Sequence, residues 1–204
     1  MEGQTPKEGV VKFTVKRMHK TPPLAQELYK KLDEYRDKLW KKGLIGFDQE
    51  LGVGYGNISR RIEGPKFIIT ATQTGHLKEL TGGHYTIVER ADFSGNSVSA
   101  SGPSTPSSEA LTHAAFYTRE DIHAVIHIHS MALWKKLKSE DTLSTEENIP
   151  YGSKELYTRI MEILGSEDLK LPVIIVIKGH KEGVFAAGKS LDQAYRLLIS
   201  YIEE

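Results

Sequence analysis

Cysteine is missing from the 204 residues of the sequence, so no disulfide braces the fold and no thiolate is available to hold a metal. Any metal centre must use nitrogen and oxygen ligands. An excess of charge is missing as well, since 27 Lys and Arg balance 27 Asp and Glu. A neutral chain has no general field to gather nucleic acid or an anionic membrane, and neither is expected as a partner. Long apolar runs are also absent: no stretch reaches the roughly 18 residues of a membrane span. The opening MEGQTPKEGVVKF lacks the apolar core of a signal peptide. These absences lead to the expectation of a soluble, cytoplasmic protein, and the length suits one domain.

What is present is patterned. Residues 1–20 are polar and mixed in charge, which suggests a tail or a loosely docked edge ahead of a domain over 21–204. Leu24, Leu28, Leu32, Tyr35 and Leu39 recur at helical spacing, and Gly43 is placed to end that helix. Strands are expected in GNISRRI, KFIIT and HYTIVERADF, with SGNS as a turn and SGPSTPSSE as a loop. EALTHAAFY reads as a helix that Ser107 or Ser108 could start, after Pro106. Residues 135–152 are polar and read as a surface loop. SKELYTRIMEIL reads as a helix capped by Ser153, VIIVIKGH as a strand buried on both faces, GVFAAG as its antiparallel partner and SLDQAYRLLISYIEE as a closing helix. Helices bracketing a run of strands imply a single-domain α/β sandwich.

The chemistry concentrates in AVIHIHS, residues 124–130. Strand side chains alternate faces, so His127 and His129 share one side of a buried strand. Two imidazoles so placed need satisfying, either by cross-strand packing and hydrogen bonds or by a metal. His180, in KGHKEG, could be a third ligand or an ordinary loop residue. Three neutral imidazoles with an open position are the makings of a catalytic zinc site. Glu109 stands at the start of a helix, where the dipole favours an acid, but a carboxylate beside a metal could equally be a general base. Three small-residue segments, around Gly56 and Asn57, Thr74 and Gly75, and Ser107 and Ser108, are either plain turns and caps or a phosphate cradle.

In this order the segments resemble the class II aldolase/adducin-head family. The resemblance rests on GNIS at 56–59, TQTGHLKELT at 72–81, PSSE at 106–109, HAAFYTREDIHAVIHIHS at 113–130, PYGSKEL at 150–156 and GHKEGVFAAGKSLDQA at 179–194. It implies an α/β/α sandwich around a mostly antiparallel sheet, and homotetramers of C4 symmetry with sites at subunit interfaces. It also implies one Zn²⁺ per chain (or another divalent metal) on His127, His129 and His180, with Glu109 as the acid/base carboxylate. Gly56, Asn57, Thr74, Gly75, Ser107 and Ser108 would then hold the phosphate of a small sugar phosphate. The implied reaction is aldol cleavage of a phosphorylated ketose through a metal-stabilised enediolate. Ketose-1-phosphate dehydration, 4-epimerisation of a pentulose phosphate and a non-catalytic adducin-like role are the alternatives. Met131, Leu133 and Trp134, apolar residues in a polar region, give a modest hint of an interface. The segment between the H-x-H strand and PYG is short and carries no tyrosine, unlike that of fuculose-type enzymes.

Overall fold

In the computed structural model of the chain, residues 11–140 and 142–203 are described. The first ten residues of the expected tail lie outside them. The elements run β1 (Thr14–Lys20), α1 (Gln26–Lys41), β2 (Gly46–Asp48), β3 (Val53–Tyr55), β4 (Asn57–Glu63), β5 (Lys66–Thr70), β6 (Tyr85–Asp92) and β7 (Ser97–Gly102). Then follow α2 (Ala110–Phe116), β8 (Ala124–His129), α3 (Met131–Ser139), α4 (Lys154–Leu164), β9 (Val173–Val176), β10 (Gly183–Gly188) and α5 (Leu191–Glu203). Eight strands form one sheet in the order β1-β7-β6-β5-β4-β8-β10-β9, and β2 with β3 makes a separate hairpin. All the sheet pairings are antiparallel except β1 with β7.

Strict alternation along the strands separates two apolar cores. Phe67, Ile69, Val125, Ile175 and Phe185 face one way, toward α2 and α4. Ile58, Ile68, Ala124, Ile126, Ile128 and Val184 face the other, toward α1, α3 and α5. The result is the expected α/β/α sandwich. Its helices begin and end where local chemistry allows. Ser130 Oγ accepts the Leu133 amide of α3, and Ser153 Oγ accepts the Leu156 amide of α4. Gly43, at φ +69°, follows α1 in the left-handed conformation that ends a helix without a Cβ penalty.

Several expectations need correction. Residues 14–20 take the edge alternative and not the tail: they are an edge strand of the sheet, and their exposed Lys16, Arg17 and Lys20 are the kind of side chain that keeps an edge from pairing with another chain. SVSASG is a strand, where only small residues supply the alternation. Residues 135–139 continue α3 instead of opening a loop. Leu133 is buried and Trp134 packs on the same core, its indole N–H donating to the Ile177 carbonyl at 3.0 Å. Leu133 and Trp134 thus pack within the chain. VIIV is an edge strand, yet all four of its residues are buried. Its outer side is closed by the segment 143–145, through Val176 N–H to Leu143 O and Thr145 N–H to Val176 O, both 3.0 Å.

Candidate metal and anion site

The site forms where the C-terminal end of β8 meets the start of β4 and the turn from β9 to β10. His127 and His129 project from the same face of β8, as alternation requires. His180 does not lie in a strand, since β9 stops at Val176. It sits in the turn that follows, held by its own N–H to Ile177 O at 3.0 Å and by Gly183 N–H to its carbonyl at 2.9 Å. The donor atoms of the three imidazoles lie within 4.8 Å of one another, and all three rings are buried. His127 stacks on Phe185, its cross-strand partner, with centroids 4.2 Å apart. Its Nδ1 lies 3.2 Å from the Val184 carbonyl. A proton on Nδ1 satisfies that oxygen and leaves Nε2 as a lone-pair donor, the arrangement that orients a metal-binding histidine.

Glu109 closes the cluster. It occupies the residue before α2, but its carboxylate makes no capping bond to that helix. Oε2 instead lies 2.9 Å from His127 Nε2 and accepts from Asn57 Nδ2 at 2.9 Å, while Oε1 is 3.8 Å from His180 Nδ1. Burial pushes this carboxyl up, but the facing His127 and His180 and the Asn57 amide outweigh it and hold the group below the usual carboxylate range. A buried carboxylate of that kind is tolerable only beside positive charge. The donor set of three imidazole nitrogens and an adjacent carboxylate, with no thiolate, fits zinc or a similar divalent ion.

The six residues expected to hold phosphate converge on the same place. Gly56, Asn57, Thr74, Gly75, Ser107 and Ser108 all line one cleft, together with Glu109, His129 and His180. His127, fully buried, is not part of that lining. Gly56 adopts φ +72°, and a Cβ there would press on Ile45 and lie 3.1 Å from the His127 carbonyl. A Cβ on Gly75 would fall on the Gly46 carbonyl. Both glycines let backbone approach backbone beside the cleft. Ser107 does not cap α2 in the expected way; its Oγ accepts the Glu109 amide at 3.3 Å.

One residue of the site, Tyr55, escaped the sequence reading, and others complete its surroundings. Tyr55 lines the cleft and stacks on His129, centroids 5.2 Å apart, with its hydroxyl donating to Gly43 O at 3.1 Å. An aromatic between two glycines, GYG, was the available signal. Tyr151, in the PYG segment, lies against His180 at 4.9 Å; Lys12 donates to the Tyr151 carbonyl at 2.6 Å and places its ammonium 3.6 Å from the ring centre. Below the cleft, Ser59 Oγ lies 2.7 Å from both His113 Nδ1 and Tyr117 Oη. Burial pushes His113 down to about 3, with Glu109 opposing and His127 adding to the shift. His113 is thus a neutral, structural imidazole.

Comparison with known proteins adds an independent line. The family model described as Class II Aldolase and Adducin N-terminal domain matches residues 46–203. Among solved structures, an L-fuculose 1-phosphate aldolase is similar at 21% identity with a TM-score of 0.61, over 88% of this chain and 83% of that one. A sugar-phosphate aldolase from Thermotoga maritima is similar at 20% identity with a TM-score of 0.64, over 87% and 93%. YgbL from Escherichia coli, whose suggested activities are aldolase, epimerase or decarboxylase, is similar at 18% identity with a TM-score of 0.64, over 87% and 86%. No curated protein matches the chain.

Proposed function

The chain belongs to the class II aldolase and adducin N-terminal domain family, and from that premise we propose that it is a metal-dependent aldolase acting on a small phosphorylated ketose. One observation carries the reading. His129, His180 and Glu109, clustered with the buried His127, line a cleft that Gly56, Asn57, Thr74, Gly75, Ser107 and Ser108 line as well. The adducin-like alternative has no use for such a buried donor set.

Held by His127, His129 and His180, a divalent cation, taken to be zinc, supplies Lewis acidity to adjacent substrate oxygens. The small-residue wall takes the phosphate and so fixes the reacting carbons relative to Glu109. In the cleavage direction the hydroxyl on the carbon that becomes the aldehyde gives its proton to solvent, and the electrons of that O–H bond form the new carbonyl. Those of the breaking C–C bond pass to the ketone oxygen, and the aldehyde half leaves. Glu109 then returns a proton to carbon, and removes it in the condensation direction. Asn57, bonded to Glu109 Oε2, keeps the carboxylate aimed. A second reading, dehydration or 4-epimerisation of a sugar phosphate, draws on the tyrosines at the cleft. These are Tyr55 and Tyr151, neither of them in the segment 131–148.

The reading includes a cytoplasmic homotetramer of C4 symmetry. It is tested by incubating the zinc-loaded protein with a panel of phosphorylated ketoses and assaying aldehyde, dehydrated and epimerised products separately. Aldehyde release from at least one ketose phosphate, reduced about 10²–10⁴-fold in Glu109→Gln with zinc retained, is the expected result. Epimer or dehydration product without aldehyde would replace the aldolase assignment with the second reading.

A further inference from the structure

One charged residue sits where the helical pattern calls for an apolar one. Leu32, Tyr35, Arg36 and Leu39 are the buried residues of α1, and Arg36 is only 1% exposed. Burying a guanidinium costs several kcal/mol unless its donors are met, and an aliphatic side chain would pack there at no such cost. All the hydrogen bonds described for Arg36 end on one short segment. Nη1 donates to Lys78 O at 2.9 Å, and Nη2 to Thr74 O at 3.0 Å, to Leu77 O and, more distantly, to Gly75 O at 3.5 Å. One turn further along α1, Trp40 Nε1 donates to the same Gly75 carbonyl at 3.2 Å.

The segment so gripped carries Thr74 and Gly75, two of the cleft's lining residues. A trans peptide points its C=O and the following N–H to opposite sides. Carbonyls 74 and 75 turned toward α1 therefore turn the amides of Gly75 and His76 away from it. Gly75 N lies 3.1 Å from where a Cβ of Gly54 would stand, on the cleft side, since Gly54 also lines the cleft. Gln73, just before, takes the left-handed conformation at φ +59°, which is costly for a residue with a Cβ unless its surroundings impose it. The Thr74 hydroxyl is committed to Ala71 O at 2.9 Å, so backbone amides are what this wall has to offer an anion.

We propose that Arg36, assisted by Trp40, is a positioning residue for anion binding: it draws the carbonyls of 74–78 back onto α1 and so presents the amides of that turn to the substrate phosphate. The proposal rests on the phosphate-binding reading of the cleft. Arg36 itself touches no substrate. Its guanidinium also places a positive charge behind the turn.

The test is calorimetric titration of the zinc-loaded full chain with inorganic phosphate. Wild type is compared with Arg36→Met, Arg36→Lys and Trp40→Phe, with zinc content and unfolding midpoint measured for each. The expected result is phosphate binding weakened about tenfold or more in Arg36→Met, less in Arg36→Lys and about two- to threefold in Trp40→Phe, with zinc content unchanged. Folded variants that bind phosphate as wild type does would overturn it, as would zinc and phosphate affinity falling by the same factor, the mark of general loosening. If Arg36→Met does not fold, Arg36→Lys and Trp40→Phe still decide. Should wild type itself bind no phosphate, the reading of the cleft fails and this inference with it; wild-type binding with unaffected variants sinks the inference alone.

Discussion

Along β8, Ala124, Ile126 and Ile128 pack among the aliphatic side chains of α1, α3 and α5, while Val125, His127 and His129 face the side covered by α2 and α4. The isoleucine face joins an aliphatic and aromatic layer. The histidine face meets Glu109, Asn57, Ser59, His113 and Tyr117, all buried and tied to one another by hydrogen bonds or close charge contacts. One strand thus serves two opposed demands because its period of two lets successive residues obey different rules. The apolar face supplies cohesion in proportion to area removed from water. The polar face gives up some of that cohesion to keep imidazoles and a carboxylate out of water, where their donors can be aimed. If the two faces are independent, each should fail in its own way.

The largest effect is expected on the polar face. A His127→Ala/His129→Ala variant removes two of the three imidazoles and should reduce bound zinc from about one ion per chain to a small fraction of that, since three protein ligands are the usual minimum for such a site. Elemental analysis after dialysis measures this directly. Equal metal content in variant and wild type would refute the ligand assignment.

That half of the site was legible because alternation is a local rule: residues 124–130 by themselves place two histidines on one side. His180 and Glu109 required the fold, for each sits in a turn whose direction is set by contacts far away in sequence. The same holds more strongly for the anion wall. The carbonyls of its Thr74–Lys78 turn accept bonds from Arg36 and Trp40, some 35 to 42 residues earlier in the chain, and no local pattern states that a turn's carbonyls will be collected by a helix. Arg36 had a visible signature, a charge on the apolar stripe of α1, which reads as a defect until its partners are known. β7 was missed, and β1 read only as a tail or a docked edge, for a plainer reason: a run of serines and an exposed edge give alternation little contrast.

A smaller effect separates the buried polar layer from the metal ligands themselves. His113 is held neutral, its pKa pushed down to about 3 chiefly by burial, whereas an unfolded histidine titrates near 6.5. Below about pH 6.5 the unfolded chain binds a proton that the folded chain refuses, so stability falls as pH is lowered toward the folded value. At pH 5 this amounts to about 2 kcal/mol from one group. Glu109 acts in a different window. Held below its ordinary value, it gives stability above about pH 4.3 and loses it only as pH falls further. Urea unfolding between pH 7 and 5 should therefore show a shallower decline for His113→Gln than for wild type. Parallel declines would mean that His113 titrates in the fold as it does in the unfolded chain, and that the polar layer is wetter than its burial implies.

The smallest effect belongs to the apolar face. Ile126 is fully buried, directly opposite Ile58 of β4 and Ala186 of β10 in the strand register. Ile126→Val removes one methyl from that layer, which typically costs about 0.5–1.5 kcal/mol through lost transfer energy and an incompletely closed space. The backbone of β8 keeps its ladder on both sides, and the deleted atoms point away from His127 and His129. Stability measured by urea unfolding should fall by that amount, while zinc content and phosphate affinity stay at wild-type values. The contrast with the double-histidine variant is then complete: one position shift along the strand exchanges a loss of metal for a loss of cohesion. If zinc affinity drops together with stability in Ile126→Val, the histidines are held in place by packing transmitted through the strand, and the two faces of β8 are a single mechanical unit.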